Sequence, residues 1–195
     1  MINSALEKIS LIDLAILRLI NRRISNKTLN LLIPPLSNKY KFHYLAEILG
    51  LYIYYGFLRE PENFKRILKI FSEVFTATVI LKFIIRHKRP FVHFKDIIDR
   101  DSFLPTVGSE EFRINNEAVK KYRNSWYSFP STEAATSVIL LKSLFNPQKS
   151  ILNTVLISYF SLILFSRMYN GVHRPTEILF GALLGWFWPD NKVKL

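Results

Sequence analysis

Apolar residues run through this chain in helix-length stretches separated by charged breaks. The cleanest is Ser150 to Ser166, 17 residues without a charge, bounded by Lys149 and Arg167. That length is the lower end of what crosses a bilayer as a helix. The other stretches are interrupted: Phe42 to Leu58 holds Glu47, Ile67 to Ile85 holds Lys69, Glu73 and Lys82, Pro130 to Phe145 holds Glu133 and Lys142, and Ile178 to Trp188 is brief. Any one of them would serve as the buried helix of a soluble protein. In succession, with Tyr52, Tyr54, Tyr55, Trp126, Tyr127, Trp186 and Trp188 at their ends as an aromatic belt, they read as membrane helices. The pattern predicts an all-α integral membrane bundle of five spans, near residues 42–59, 66–85, 130–146, 150–166 and 174–189, with residues 28–38 as a candidate sixth, half-length span.

Before the first span, Ala5 to Ile20 sets Leu6, Ile9, Ile12 or Asp13, Ile16 and Leu19 or Ile20 at helical spacing, with Glu7, Lys8 and Arg18 elsewhere. That suits an amphipathic helix lying in the membrane interface, or one packed on the edge of the bundle. No secretory leader is expected, since Met1 to Asn21 alternates apolar with charged residues and has no small-residue cleavage site. Pro34-Pro35 should break the helical pattern, and Arg59 to Asn63 and Asn146 to Lys149 read as short turns between antiparallel neighbours. Residues 86–128 form a long polar extramembrane loop carrying Arg100-Asp101, Glu110-Glu111 and Lys120-Lys121. A loop of that length in a compact chain is usually functional. The whole of 1–195 is expected to be one membrane-embedded domain, with 1–41 as its N-terminal helices.

Composition narrows the function classes. The 195 residues include no cysteine, which removes disulfides, Cys-rich zinc sites and a thiolate nucleophile. A net charge of +12 accompanies 49% hydrophobic residues, 16 Phe, 9 Tyr and 3 Trp, a balance that fits either nucleic acid or phosphate-bearing lipid as partner. Nucleic-acid modules need a basic stripe with exposed aromatics, and here the aromatics lie inside apolar runs. Cations concentrate on the side of the long loop, so the positive-inside rule alone would place that loop in the cytoplasm. A cluster that binds a ligand is not a topology signal, however, and several of these cations have the spacing of one.

Lys82 sits seven positions before Arg89, about two helical turns, so both should project from one face near a helix end that Pro90 terminates. Phe129-Pro130-Ser131-Thr132-Glu133 opens an apolar run, with a first-turn proline and free backbone N–H groups behind it. Ser166-Arg167 is followed six residues later by His173 and then by Glu177, an i, i+4 pair within the last helix in which a carboxylate can hold an imidazole N–H. Singly these are a snorkelling anchor pair, a helix cap and a packing pair. In this order, on helix ends facing one side, they describe one site.

The ordered set resembles the type 2 phosphatidic acid phosphatase superfamily, whose signature is Lys-x6-Arg-Pro, Pro-Ser-Gly-His and Ser-Arg-x5-His-x3-Asp. The likeness runs from Lys82 to Glu177, with two departures: Thr132-Glu133 stands for Gly-His, and Glu177 for the aspartate. The resemblance implies a metal-independent, cofactor-free phosphatase working through a covalent phosphohistidine. His173 would be the nucleophile and Glu177 its partner, while Lys82, Arg89, Ser131, Thr132 and Arg167 would bind the phosphoryl oxygens. It further implies a multi-pass protein of the cell (inner) membrane whose site faces the non-cytoplasmic side, and, with so short a chain, a prokaryotic enzyme. The substrate would be a lipid phosphate or diphosphate, such as a polyprenyl diphosphate, phosphatidylglycerol phosphate or lipid A 1-phosphate.

Glu133 has three readings. It could be a general acid with a raised pKa, an ionised partner of the neighbouring cations serving a substrate with a good leaving group, or the mark of lost activity. A lipid phosphotransferase is a chemical neighbour, and a non-catalytic basic protein binding membrane or nucleic acid is the alternative of another class. The four histidines (His43, His87, His93, His173) are too scattered along the chain to suggest a metal site.

Overall fold

The computed structural model describes residues 2–36, 42–57, 60–100 and 127–189. Among them there is no strand, only an isolated bridge between Lys88 and Tyr127. The helices are α1 (Ile2–Arg18, continued by a π-helical turn, Leu19–Arg23), α2 (Lys27–Leu36), α3 (Phe42–Phe57), α4 (Pro61–Ile85), α5 (Pro90–His93), α6 (Thr132–Leu144), α7 (Ser150–Tyr169) and α8 (Pro175–Phe187). A helix stands at each position where a span was expected. By length and composition alone, α7 is the one among the described residues that qualifies to cross a membrane. The paired charges at Asp101, Glu110-Glu111 and Lys120-Lys121, and with them most of the long loop, lie outside the described residues.

α6 is the axis of the bundle and packs against α8, α4 and α7. Its contact with α8 is close because α8 carries glycine four residues apart on that face. A Cβ at Gly181 would run into the carbonyl of Ser131, and one at Gly185 into that of Ala135. Small residues at this spacing let two helices approach backbone to backbone, the packing available where burying apolar surface drives nothing. Away from the site, Leu51 and Tyr55 of α3, Ile67 and Phe71 of α4, Leu140 of α6 and Phe160 of α7 form one core cluster. The Tyr55 hydroxyl donates to the Ser143 carbonyl at 3.0 Å. Polarity is otherwise inverted: the buried set includes Asp13, Asn21, Thr136, Ser137, Ser166, Arg167, Asn170, His173 and Glu177, while Leu49, Ile53, Ile80, Phe83, Ile84, Ile151, Val155, Leu179, Phe180 and Phe187 face outward.

Three local expectations meet the structure differently. Lys82 and Arg89 do not share a helix face, because α4 stops at Ile85. Arg86 adopts the left-handed conformation (φ 54°) and its N–H closes on the Lys82 carbonyl, so Arg89 lies beyond the break as the extended residue capping α5. Pro34 and Pro35 lie inside the last turn of α2, where their missing N–H groups cost two bonds, and the helical pattern ends with them at Leu36. α1 packs on the bundle edge, and of the alternatives at helical spacing it is Asp13 and Ile20, not Ile12 and Leu19, that turn inward. Asp13, Leu17, Ile20 and Asn21 are buried, whereas Ile9, Ile12, Ile16 and Leu19 are exposed. Polar anchoring decides this: Asn21 bonds the Ile98 and Tyr169 carbonyls at 2.9 and 2.8 Å, and Arg18 pairs with Asp96 at 2.7 Å.

Candidate active site

The end of α4, the starts of α6 and α8 and the end of α7 converge at one end of the bundle, and the motif residues meet there. His173 does not belong to the last helix, as its spacing suggested. It lies in the turn before α8, whose first helical residue is Pro175. The contact with Glu177 still forms, because the Glu177 carboxylate folds back over the helix start. Its Oε2 accepts from the Arg174 N–H at 3.0 Å and lies 3.2 Å from His173 Nδ1. Its Oε1 lies 2.7 Å from His87 Nδ1 and accepts from the Ser128 hydroxyl at 2.8 Å. With partners on both oxygens the carboxylate has one orientation, and Nδ1 of His173 faces a pure acceptor.

His173 is fully buried. That burial outweighs the two carboxylates beside it and holds the imidazole below its ordinary pKa. At neutral pH the ring therefore carries one proton. The closer carboxylate is Glu177, at 3.2 Å against 3.5 Å for Glu133, which assigns the proton to Nδ1 and leaves a lone pair on Nε2. Nε2 has no hydrogen-bond partner among the described residues, and neither has Oε2 of Glu133 opposite it. A buried nucleophilic nitrogen aimed at a buried carboxyl oxygen is costly unless a ligand comes between or beside them.

Glu133, in the first turn of α6, pairs through Oε1 with Arg167 Nη2 at 3.3 Å, and both side chains are buried. Lys82 Nζ sits against the Tyr127 and Ser128 carbonyls at 3.5 and 3.4 Å, within electrostatic reach of Glu133, Arg89, Arg167 and Glu177. Ser131 caps α6: its Oγ accepts from the Ala134 N–H at 3.3 Å, and its own N–H is held by the Glu177 carbonyl at 3.0 Å. Thr132 is buried at the first position of α6. Its N–H and that of Glu133 lack intrahelical partners by position, as at any helix start.

Three residues escaped the sequence reading. His87 lies inside the Lys82-to-Pro90 segment, and Ser128 immediately precedes Phe129; both are half of Glu177's coordination, which only the fold assembles. Asp13 is the third. From α1 it accepts the Thr176 N–H at 2.9 Å and the Thr176 hydroxyl at 2.7 Å, pinning the start of the helix that carries Glu177. Among the described residues no three His, Asp or Glu converge on one centre as metal ligands would; Glu177 lies between the two imidazoles it holds.

A family model, the PAP2 superfamily, matches residues 67–189, which contain all of these motif residues. The chain belongs to the PAP2 superfamily. Two solved structures share the fold. The crystal structure of Aquifex aeolicus LpxE is 23% identical with a TM-score of 0.63, over 88% of this chain and 88% of that one. The first transmembrane PAP2 type phosphatidylglycerolphosphate phosphatase from Bacillus subtilis is 23% identical with a TM-score of 0.59, over 92% of this chain and 83% of that one. No curated protein matches the sequence. The two residues that depart from the signature both lie against His173, Glu177 at Nδ1 and Glu133 at Nε2.

Proposed function

We propose that this PAP2 protein is an integral membrane phosphatase that removes phosphate from a lipid phosphate or diphosphate through a phosphohistidine on His173. The observation that carries the reading is the buried His173 ring, held at Nδ1 by Glu177 with Nε2 facing the Arg167–Glu133 pair. A phosphoryl group on Nε2 would meet Arg167, Lys82 and Arg89 and the N–H groups opening α6, which supply the charge stabilisation that phosphoryl transfer chiefly requires. No step calls on a metal or a cofactor.

In the proposed sequence, Nε2 attacks phosphorus as the bond to the leaving oxygen breaks, and Glu177 stabilises the imidazolium. Substrate binding puts a second anion on Arg167. Like-charge repulsion is relieved when Glu133 takes up a proton, and that carboxyl then protonates the leaving oxygen. Glu133 next removes a proton from water as the water oxygen attacks phosphorus and the N–P bond breaks, its electron pair returning to Nε2, which releases inorganic phosphate and restores His173. The substrate contributes the proton coupling that makes an ion-paired glutamate serve where its relatives use histidine.

The membrane reading rests on the outward apolar residues around a polar interior. At 25 and 20 residues, α4 and α7 are about 37 and 30 Å long, enough to cross the hydrocarbon layer. α3, α6 and α8, at 16, 13 and 13 residues, are the shorter of the five proposed spans, a mismatch that local thinning of the bilayer accommodates. We assign that end to the non-cytoplasmic face. Phosphate release by the purified full chain from a panel of detergent-solubilised lipid phosphates tests the function. Activity toward lipid substrates that disappears in His173→Ala is expected; release from water-soluble phosphates alone would remove the lipid claim, and release from none the enzyme.

A further inference from the structure

Glu47 is a half-buried titratable residue that the mechanism above does not use. Both of its carboxyl oxygens are shut off from the surface, and neither has a hydrogen-bond partner among the described residues. It lies on the face of α3 that carries Leu51 and Tyr55, four and eight residues on, which are core residues against α4, α6 and α7. Its level can be worked out from the tie between Tyr55 and Ser143. α3 and α6 run in the same direction away from the site, so Glu47 stands about 12 Å above Tyr55 and Glu133 about 15 Å above Ser143. The two carboxyls therefore share a depth to within a turn. Glu47 is in electrostatic reach of Glu133 on one side and of Tyr159 in α7 on the other.

A carboxyl group with no donor or cation on it among the described residues is expensive to keep inside a helix bundle, and in a membrane protein such a group marks a ligand path more often than a packing contact. In an in-line displacement at His173 the leaving oxygen departs from the face of phosphorus opposite Nε2, and Glu47, level with Glu133 and within its electrostatic reach, is, among the described residues, the nearest unpartnered carboxyl to an alcohol portion passing Glu133. We propose that Glu47 reads this alcohol portion, accepting a hydrogen bond from a hydroxyl or ammonium group carried next to the scissile phosphate. This rests on the phosphatase reading and narrows its substrate class. Lipid phosphates with a donor beside the phosphoester fit, and those whose alcohol is a bare hydrocarbon or diacylglycerol leave Glu47 unpaired. A site built around such a group discriminates strongly against analogues that cannot satisfy it.

The test compares phosphatidylglycerol phosphate, with a hydroxyl adjacent to the phosphoester, and phosphatidic acid of the same acyl chains, without one. Both expel a primary alkoxide, so the chemistry is matched. The wild-type chain is expected to favour the hydroxyl-bearing lipid in kcat/KM. Glu47→Leu should lower that preference on the order of ten- to a hundredfold through the hydroxyl-bearing substrate alone. Glu47→Gln, which can still accept a hydrogen bond, should retain part of it and serves as the variant of record if the leucine protein melts early. Equal turnover of both lipids by wild type, or a ratio that Glu47→Leu and Glu47→Gln leave unchanged, overturns the role of Glu47 and leaves the phosphatase standing. Failure of wild type to release phosphate from either lipid, or from any other in the panel, overturns both.

Discussion

Replacing Glu133 by glutamine separates its two properties, charge and transferable proton, while keeping its shape. The carboxylate stands 3.3 Å from Arg167 Nη2 and 3.5 Å from His173 Nε2. At an effective dielectric near 20 the attraction to Arg167 is about 5 kcal/mol, most of it cancelled by the cost of burying both charges. A net of about 1–2 kcal/mol is then lost whenever an incoming phosphoryl group takes over Arg167. Glu133→Gln abolishes this competition, so the KM for a lipid monophosphate should fall by about tenfold. The amide cannot protonate the leaving oxygen, so kcat on a lipid alkoxide should fall by roughly two to four orders of magnitude. A diphosphate leaving group needs little acid and should lose far less. Steady-state phosphate release from a lipid monophosphate and a polyprenyl diphosphate, across pH, reads all three effects. A kcat on the monophosphate within about threefold of wild type, or equal losses on both substrates with an unchanged pH profile, would refute the general-acid role. A raised KM would refute the competition.

His173→Ala should abolish turnover and the acid-labile, base-stable labelling of the protein by substrate phosphate; substantial remaining activity would sink the covalent mechanism. Because burial keeps His173 neutral while the unfolded chain takes up its proton near pH 6.5, native stability should be fully present above that pH and decline as pH falls through it. Thermal melting of wild type steepening its loss below pH 6.5 more than His173→Ala checks the sign. His87→Ala removes one of Glu177's partners and should lower kcat about tenfold with KM unchanged, the split expected of a residue that positions Glu177 rather than binds substrate. Asp13→Ala uncaps α8 and should lower Tm by roughly 3–6 °C, with Asp13→Asn recovering part of it. Since the chain has no cysteine, single cysteines at Lys88 and at Lys149 can be labelled from outside intact cells; label at Lys88 and not Lys149 is expected, and the reverse would overturn the assigned orientation.

The linear sequence determined the helices and the cast of the site. Runs of apolar residues bounded by charge placed α3, α4, α6, α7 and α8 within a few residues, because helix formation answers to local spacing. The order of Lys82, Arg89, Ser131, Glu133, Arg167, His173 and Glu177 marked the chemistry because each sits at a helix end. What local spacing could not decide was how ends meet. One left-handed residue, Arg86, moved Arg89 off the α4 face, and the turn at Gly171 moved His173 out of its helix, yet both remain at the site because α7 and α8 are held by distant contacts. His87, Ser128 and Asp13 were silent in sequence, since a histidine, a serine and an aspartate of a loop and an outer helix gain meaning only when Glu177 and Thr176 arrive beside them. The face by which α1 docks was decided the same way: its hydrophobic stripe was legible, but hydrogen bonds that Asp13 accepts and Asn21 donates, with partners more than seventy residues away, outweighed it and turned most of the stripe outward.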